Sequence, residues 1–88
     1  MTRVLVVDDE PQIRRAMRTS LAAHGYDVRT VGTGQEAVVA AAEDAPELVL
    51  LDLGLPDLDG TEVIRRVRSF SEVPIIVLSV REDRKSVV

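Results

Sequence analysis

The residues best placed to do chemistry are carboxylates that follow aliphatic runs. Asp8 and Asp9 come directly after Arg3 to Val7, and Asp52 comes directly after Leu48 to Leu51. A hydroxyl, Ser79, follows a third such run, Val73 to Leu78. Continuous aliphatic runs of this length read as strands covered by helices on both faces, the usual state of a parallel sheet. If the strands are parallel, their C-terminal ends share one rim and the carboxylates converge there. Converging carboxylates repel one another and resist ionisation unless a cation sits among them. Magnesium suits such a group, because it takes hard oxygen ligands through one or two carboxylates and leaves room for phosphate oxygens. The same ion would neutralise an incoming phosphoryl group, so that a carboxylate could attack phosphorus and form an aspartyl phosphate. Ser79 could then hydrogen-bond a phosphoryl oxygen and report the modification onward.

The elements that must position these residues alternate along the whole chain as β-α-β-α-β-α-β. Pro11 fits the first turn of a helix whose Ile13, Met17 and Leu21 recur as a buried stripe, and Gly25 after His24 closes it. Tyr26 to Val31 is a shorter, alternating strand expected at a sheet edge. Thr33 and Glu36 are spaced as a capping box for a helix through Ala37, Val38, Ala41 and Ala42 that stops before Pro46. After Asp52, a loop with Gly54, Pro56 and Gly60 leads to a helix with Asp59 as N-cap, Glu62 at N3, and Val63, Ile64 and Val67 inward. Arg81 to Val88 is mostly polar and receives no assignment. Right-handed crossovers and the doubly wound strand order 2-1-3-4-5 put the first and third strands side by side, flanking the crevice where ligands bind in such sheets.

Composition narrows the classes. The 88 residues suit a single α/β domain spanning 1–88, and there is no cysteine for a disulfide or thiolate metal site. A net charge of −4 and 2% aromatic content disfavour direct nucleic-acid binding by this segment. No leader-like or membrane-spanning run is present, so a cytoplasmic, membrane-free setting is expected.

Val6-Val7-Asp8-Asp9-Glu10-Pro11, Leu50-Leu51-Asp52-Leu53-Gly54-Leu55-Pro56-Asp57-Leu58-Asp59-Gly60 and Val73-Pro74-Ile75-Ile76-Val77-Leu78-Ser79 together resemble the receiver domains of two-component response regulators. The wording is most similar to winged-helix transcriptional regulators of the potassium-responsive Kdp type. The resemblance implies a flavodoxin-like fold and a phosphorylation-dependent switch that accepts phosphate from a sensor histidine kinase, not an enzyme in the ordinary sense. It makes Asp52 the phosphoacceptor, Asp9 a direct magnesium ligand, Asp8 a ligand through water, Gly54 a donor of its backbone carbonyl, and Ser79 the switch hydroxyl. Val80 stands where the family usually has a smaller residue, which would crowd the approach of phosphate. The resemblance also implies that the sequence stops short of the family's last helix-strand-helix segment. The phosphate-binding Lys and the switch aromatic are then missing, and Lys85, after the fourth strand, is not that Lys.

Blander readings compete. An acidic cluster such as Asp8 to Glu10 often just favours a helix N-terminus, and a serine ending a strand is often a local backbone partner. Gly54, Pro56 and Gly60 read mainly as turn residues, His24 as a helix-end or surface residue, and Arg65, Arg66 and Arg68 as a solvated face. Gly32-Thr33-Gly34 follows a strand without the rest of a dinucleotide fingerprint. One rival function is a phosphate-independent interaction fragment that self-associates through an exposed fourth strand. A second rival, an aspartyl-nucleophile phosphohydrolase, wants an acid two residues beyond the nucleophile, where this chain has Gly54.

Overall fold

A computed structural model describes residues 1–78. In it, four parallel strands and three helices follow in the order β1 (Arg3–Val7), α1 (Pro11–Ala23), β2 (Asp27–Val31), α2 (Gly34–Asp44), β3 (Leu48–Asp52), α3 (Gly60–Arg68) and β4 (Ile75–Leu78). The sheet order is β2-β1-β3-β4, with Val7 opposite Val31 and Leu51, and Asp52 opposite Leu78. The α/β doubly wound arrangement expected from the sequence is therefore the one observed, with β2 at an edge.

The chain steps from β1 to β2 in one direction across the sheet and from β2 through β3 to β4 in the other. Right-handed crossovers then place α1 on one face and α2 and α3 on the opposite one. The packing agrees. Alternate residues of β1 serve opposite faces: Leu5 and Val7 pack with Ala37, Ala40, Val63 and Val67, while Val4 and Val6 pack with Met17 and Leu21. Both layers are aliphatic, which is why β1 from Val4 to Val7 and β3 from Leu48 to Leu51 can be apolar at every position.

The α1 stripe is less buried than expected. Ile13 is 36% exposed and no residue of α1 is fully buried. Among the described residues α1 is the only helix on its face, so its flanks meet solvent. Three strand boundaries also differ from the sequence reading, each for a hydrogen-bonding reason. Tyr26 lies outside β2 because its N–H is donated to the Leu21 carbonyl at the end of α1 (3.2 Å), beside Gly25 at φ +89°. Val73 lies outside β4 because its N–H is donated to Ser71 Oγ (3.1 Å), and Pro74 has no N–H for a ladder; pairing begins where the Pro74 carbonyl accepts from Val49 N (2.9 Å). At β3, Asp52 is the last paired residue rather than the first residue of the loop.

Helix ends follow their caps. Thr33 Oγ1 accepts the Glu36 N–H (3.1 Å), and Glu36 Oε1 returns to the Gly32 N–H (3.2 Å), one residue earlier than in an ideal capping box. At α3, Asp59 Oδ1 accepts from Thr61 N (3.1 Å), but Glu62 does not complete a box. Its carboxylate accepts from Arg65 Nε (3.0 Å), Arg65 Nη2 (2.6 Å) and Arg66 Nε (2.8 Å), so two of the three arginines read as a solvated face are ion-paired. His24 Nδ1 donates to the Ser20 carbonyl (2.9 Å) near the end of α1.

Candidate functional site at the carboxyl ends of strands one and three

The register places Asp8 one step beyond the Val7–Leu51 pair and Asp52 directly after Leu51. The two aspartates therefore end adjacent strands side by side, at the point where the strand order reverses. Both are 4% exposed, and each is bent back by its own loop. Asp8 Oδ1 accepts the Glu10 N–H (2.9 Å), and Asp52 Oδ1 accepts the Gly54 N–H (3.1 Å). This shared two-residue turn turns each carboxylate over the strand end and limits its rotation. Asp9 is half-buried beside them. One carboxylate oxygen from each of Asp8, Asp9 and Asp52 lies within 4.8 Å of the others. The donor set is oxygen only and anionic, which fits a hard divalent cation and fits neither thiophilic nor imidazole-seeking metals.

Of the expected residues, Asp8, Asp9 and Asp52 come together; Ser79 lies outside the described residues, as do Val80 and Lys85. Gly54 is exposed in the loop after Asp52.

Three further residues support the site and were given no role in it by the sequence reading. Arg14, one turn into α1, donates from Nη1 to the backbone carbonyl of Asp8 (2.7 Å). Asp57, in the loop that carries Gly54, accepts from Gly34 N through Oδ1 (2.8 Å) and from Gln35 N through Oδ2 (2.9 Å), which ties that loop to the start of α2. These two backbone hydrogen bonds hold the Asp57 carboxyl below its ordinary range. The third is Gly32. A Cβ there would stand 2.8 Å from Arg14 Nη1, and one on Gly34 would stand 2.8 Å from Leu58 Cβ and 2.9 Å from Val63 Cγ2. The Gly32-Thr33-Gly34 segment, which suggested a weak nucleotide motif, owes its glycines to close packing. Asp57 and Gly32 meet partners far away in sequence, so no local pattern could reveal them; for Arg14, six residues after Asp8, an arginine one turn after an acidic strand end was the only available hint.

Comparison with known proteins is consistent with this geometry. Residues 4–88 match the response regulator receiver domain family. The chain is 54% identical over 83 residues to the transcriptional regulatory protein KdpE of Mycobacterium tuberculosis, and 51% identical over 83 residues to the KDP operon transcriptional regulatory protein KdpE of Escherichia coli. Each alignment covers 94% of this chain and 37% of the relative, so the chain spans little more than a third of those proteins. Among solved structures it resembles one of the histidine kinase ThkA in complex with the response regulator protein TrrA, with a TM-score of 0.82, 37% identity, and 91% of this chain and 70% of the other covered. No helix among the described residues is long and apolar enough to cross a membrane. With the parallel sheet, the acidic crevice at its switch point and a family match over nearly its whole length, the chain belongs to the receiver domains of two-component response regulators.

Proposed function

We infer that this receiver is switched by phosphorylation of Asp52, with a histidine kinase as donor and a divalent cation held by the acidic crevice. The observation that carries the reading is the meeting of Asp8, Asp9 and Asp52 within 4.8 Å at the ends of two adjacent strands. A kinase partner is supported by the structural likeness to a response regulator bound to its kinase. The residues fit magnesium: Asp9 and Asp52 as ligands, Asp8 through water, and the Gly54 backbone carbonyl from the loop. When bound, the ion offsets the negative charge that an incoming phosphoryl group adds to the carboxylates.

The chain's own groups do the rest. A carboxylate oxygen of Asp52 forms the new O–P bond. The P–N bond to the kinase imidazole breaks, and its electron pair stays on the departing ring nitrogen. The Gly54 N–H on Asp52 Oδ1 fixes the carboxylate plane for that approach. Burial of Asp52 limits water access to the acyl phosphate that results. Ser79 remains the proposed hydroxyl partner of the phosphoryl group, and residues 1–88 the proposed receiver segment.

Incubating the 88-residue chain with magnesium and acetyl phosphate tests this. One phosphate, stable in acid and labile in base, should appear by intact-mass analysis and disappear in Asp52→Asn. A label that persists in that variant would rule Asp52 out as the acceptor.

A further inference from the structure

Asp8 is held from several sides. Its N–H is donated to the Val31 carbonyl at the end of β2 (3.1 Å), its side chain accepts from Glu10 N (2.9 Å), and its carbonyl accepts from Arg14 Nη1 (2.7 Å). The first continues the pairing of β1 with β2, and the second is a local turn closed by the Asp8 side chain. The third is a reach by a cation from the second turn of the helix that follows, six residues on. That reach has a condition: the guanidinium passes over Gly32, where a Cβ would stand 2.8 Å from Nη1 and 3.4 Å from Cζ. Gly32 carries no left-handed φ, so its backbone does not require glycine. What the missing side chain provides is room for Arg14.

We propose that Arg14 is a positioning residue for the cation site, acting through the Asp8 carbonyl, and that Gly32 is the opening that lets it act. The proposal rests on the preceding reading of the crevice as a magnesium site. Asp8 and Asp9 share the peptide whose carbonyl Arg14 holds, so that bond helps fix the plane from which both carboxylates extend toward Asp52. Loosening it leaves every ligand present but lets the turn rotate, which weakens the ion without removing a donor. Partners that orient metal ligands in this way typically change affinity by on the order of 10-fold or more when removed. Because Arg14 Nη1 is the far end of a flexible side chain, Gly32→Ala displaces it at little cost to folding. This variant separates the positioning role from a general stabilising one.

The test is a magnesium chloride titration of the isotope-labelled 88-residue chain, read by the amide shifts of Asp8, Asp9, Asp52 and Gly54, with the Asp8 carbonyl carbon shift recorded before metal is added. Arg14→Ala should move that carbon shift and weaken magnesium about 10-fold. Gly32→Ala should do the same while unfolding near the parent temperature, and the double variant should be no weaker than either single one. Arg14→Lys, which keeps a donor, should recover part of the loss. Multiplying effects in the double variant, or parent-like magnesium binding in both single variants, would overturn the role given to Arg14. If the parent chain itself gives no magnesium response at Asp8, Asp9 and Asp52, the reading of the crevice fails instead.

Discussion

At the scale of single residues, charge is held in two different ways. In the crevice, carboxylates are crowded and backbone donors set their orientation; on α3, Glu62 faces its own cations. The Arg65 and Arg66 guanidiniums hold the Glu62 carboxyl down to about 2, from an ordinary 4.5. A depressed folded value means that the contribution of Glu62 to stability is complete above the unfolded value and is lost as pH falls from about 4.5 toward 2. The pair is partly solvent-facing, with Arg65 73% exposed, so screening keeps the effect small. Thermal midpoints of the parent and Glu62→Gln should therefore differ slightly at neutral pH and converge only as pH falls through about 2. A gap that stays constant across this range would show that the ion pair contributes nothing. In the crevice, Asp9→Ala should strongly weaken the magnesium-dependent amide shifts of Asp8, Asp52 and Gly54. Shifts confined to acidic residues elsewhere would reject the site.

At the scale of elements, the contact between the β3–α3 loop and the start of α2 joins two parts of the chain that sequence separates widely. Asp57 satisfies two N–H groups at the first turn of α2, and Thr33 satisfies a third. Asp57→Ala should cost about 1 kcal/mol, the usual loss for a side-chain cap, measured by urea denaturation at neutral pH. Because the Asp57 carboxyl is held below its ordinary 3.8, the difference between variant and parent should shrink as pH falls through and below that value. An unchanged stability in Asp57→Ala would mean that water replaces the carboxylate without loss. The two glycines of this segment should behave oppositely. Gly34→Ala drives a methyl into Leu58 Cβ and Val63 Cγ2, neither of which can swing away, and should destabilise by roughly 1–3 kcal/mol. Gly32→Ala meets only the far end of the flexible Arg14 side chain and should lower the urea midpoint much less. Equal destabilisation of the two would refute this distinction.

At the scale of the whole molecule, the two faces of the sheet are unequally covered among the described residues. The face under α2 and α3 carries the larger buried cluster, while the other rests on α1 alone. On β4, Ile76 is 49% and Val77 40% exposed, in a strand whose only described neighbour is β3. An apolar strand with an open edge pairs readily with another strand. We therefore propose that the 88-residue polypeptide prepared by itself self-associates through β4, by edge pairing or by exchange of a segment between copies. Sedimentation equilibrium at micromolar concentration should show species heavier than 9.6 kDa. A clean monomer of that mass with cooperative unfolding would refute it.

The order of strands and helices, the edge position of β2, the α3 cap at Asp59 and the acidic trio were all legible in the sequence. Each rests on a signal carried by neighbouring residues: an aliphatic run, a capping pair, or a carboxylate at a strand end. Parallel topology then brought those ends together without further information, because in a parallel sheet every strand finishes on the same side. What the sequence could not determine were the bonds made across the fold. Local bonds only moved strand ends, where a helix end and a serine hydroxyl close by in sequence claim the N–H groups of Tyr26 and Val73. Asp57 caps a helix 22 and 23 positions away. Arg14 finds Asp8 only because Gly32, from a different loop, leaves space. Hydrogen bonds and close packing act over a few ångströms in space whatever the distance along the chain, so only the tertiary structure could decide which residues hold the crevice in shape.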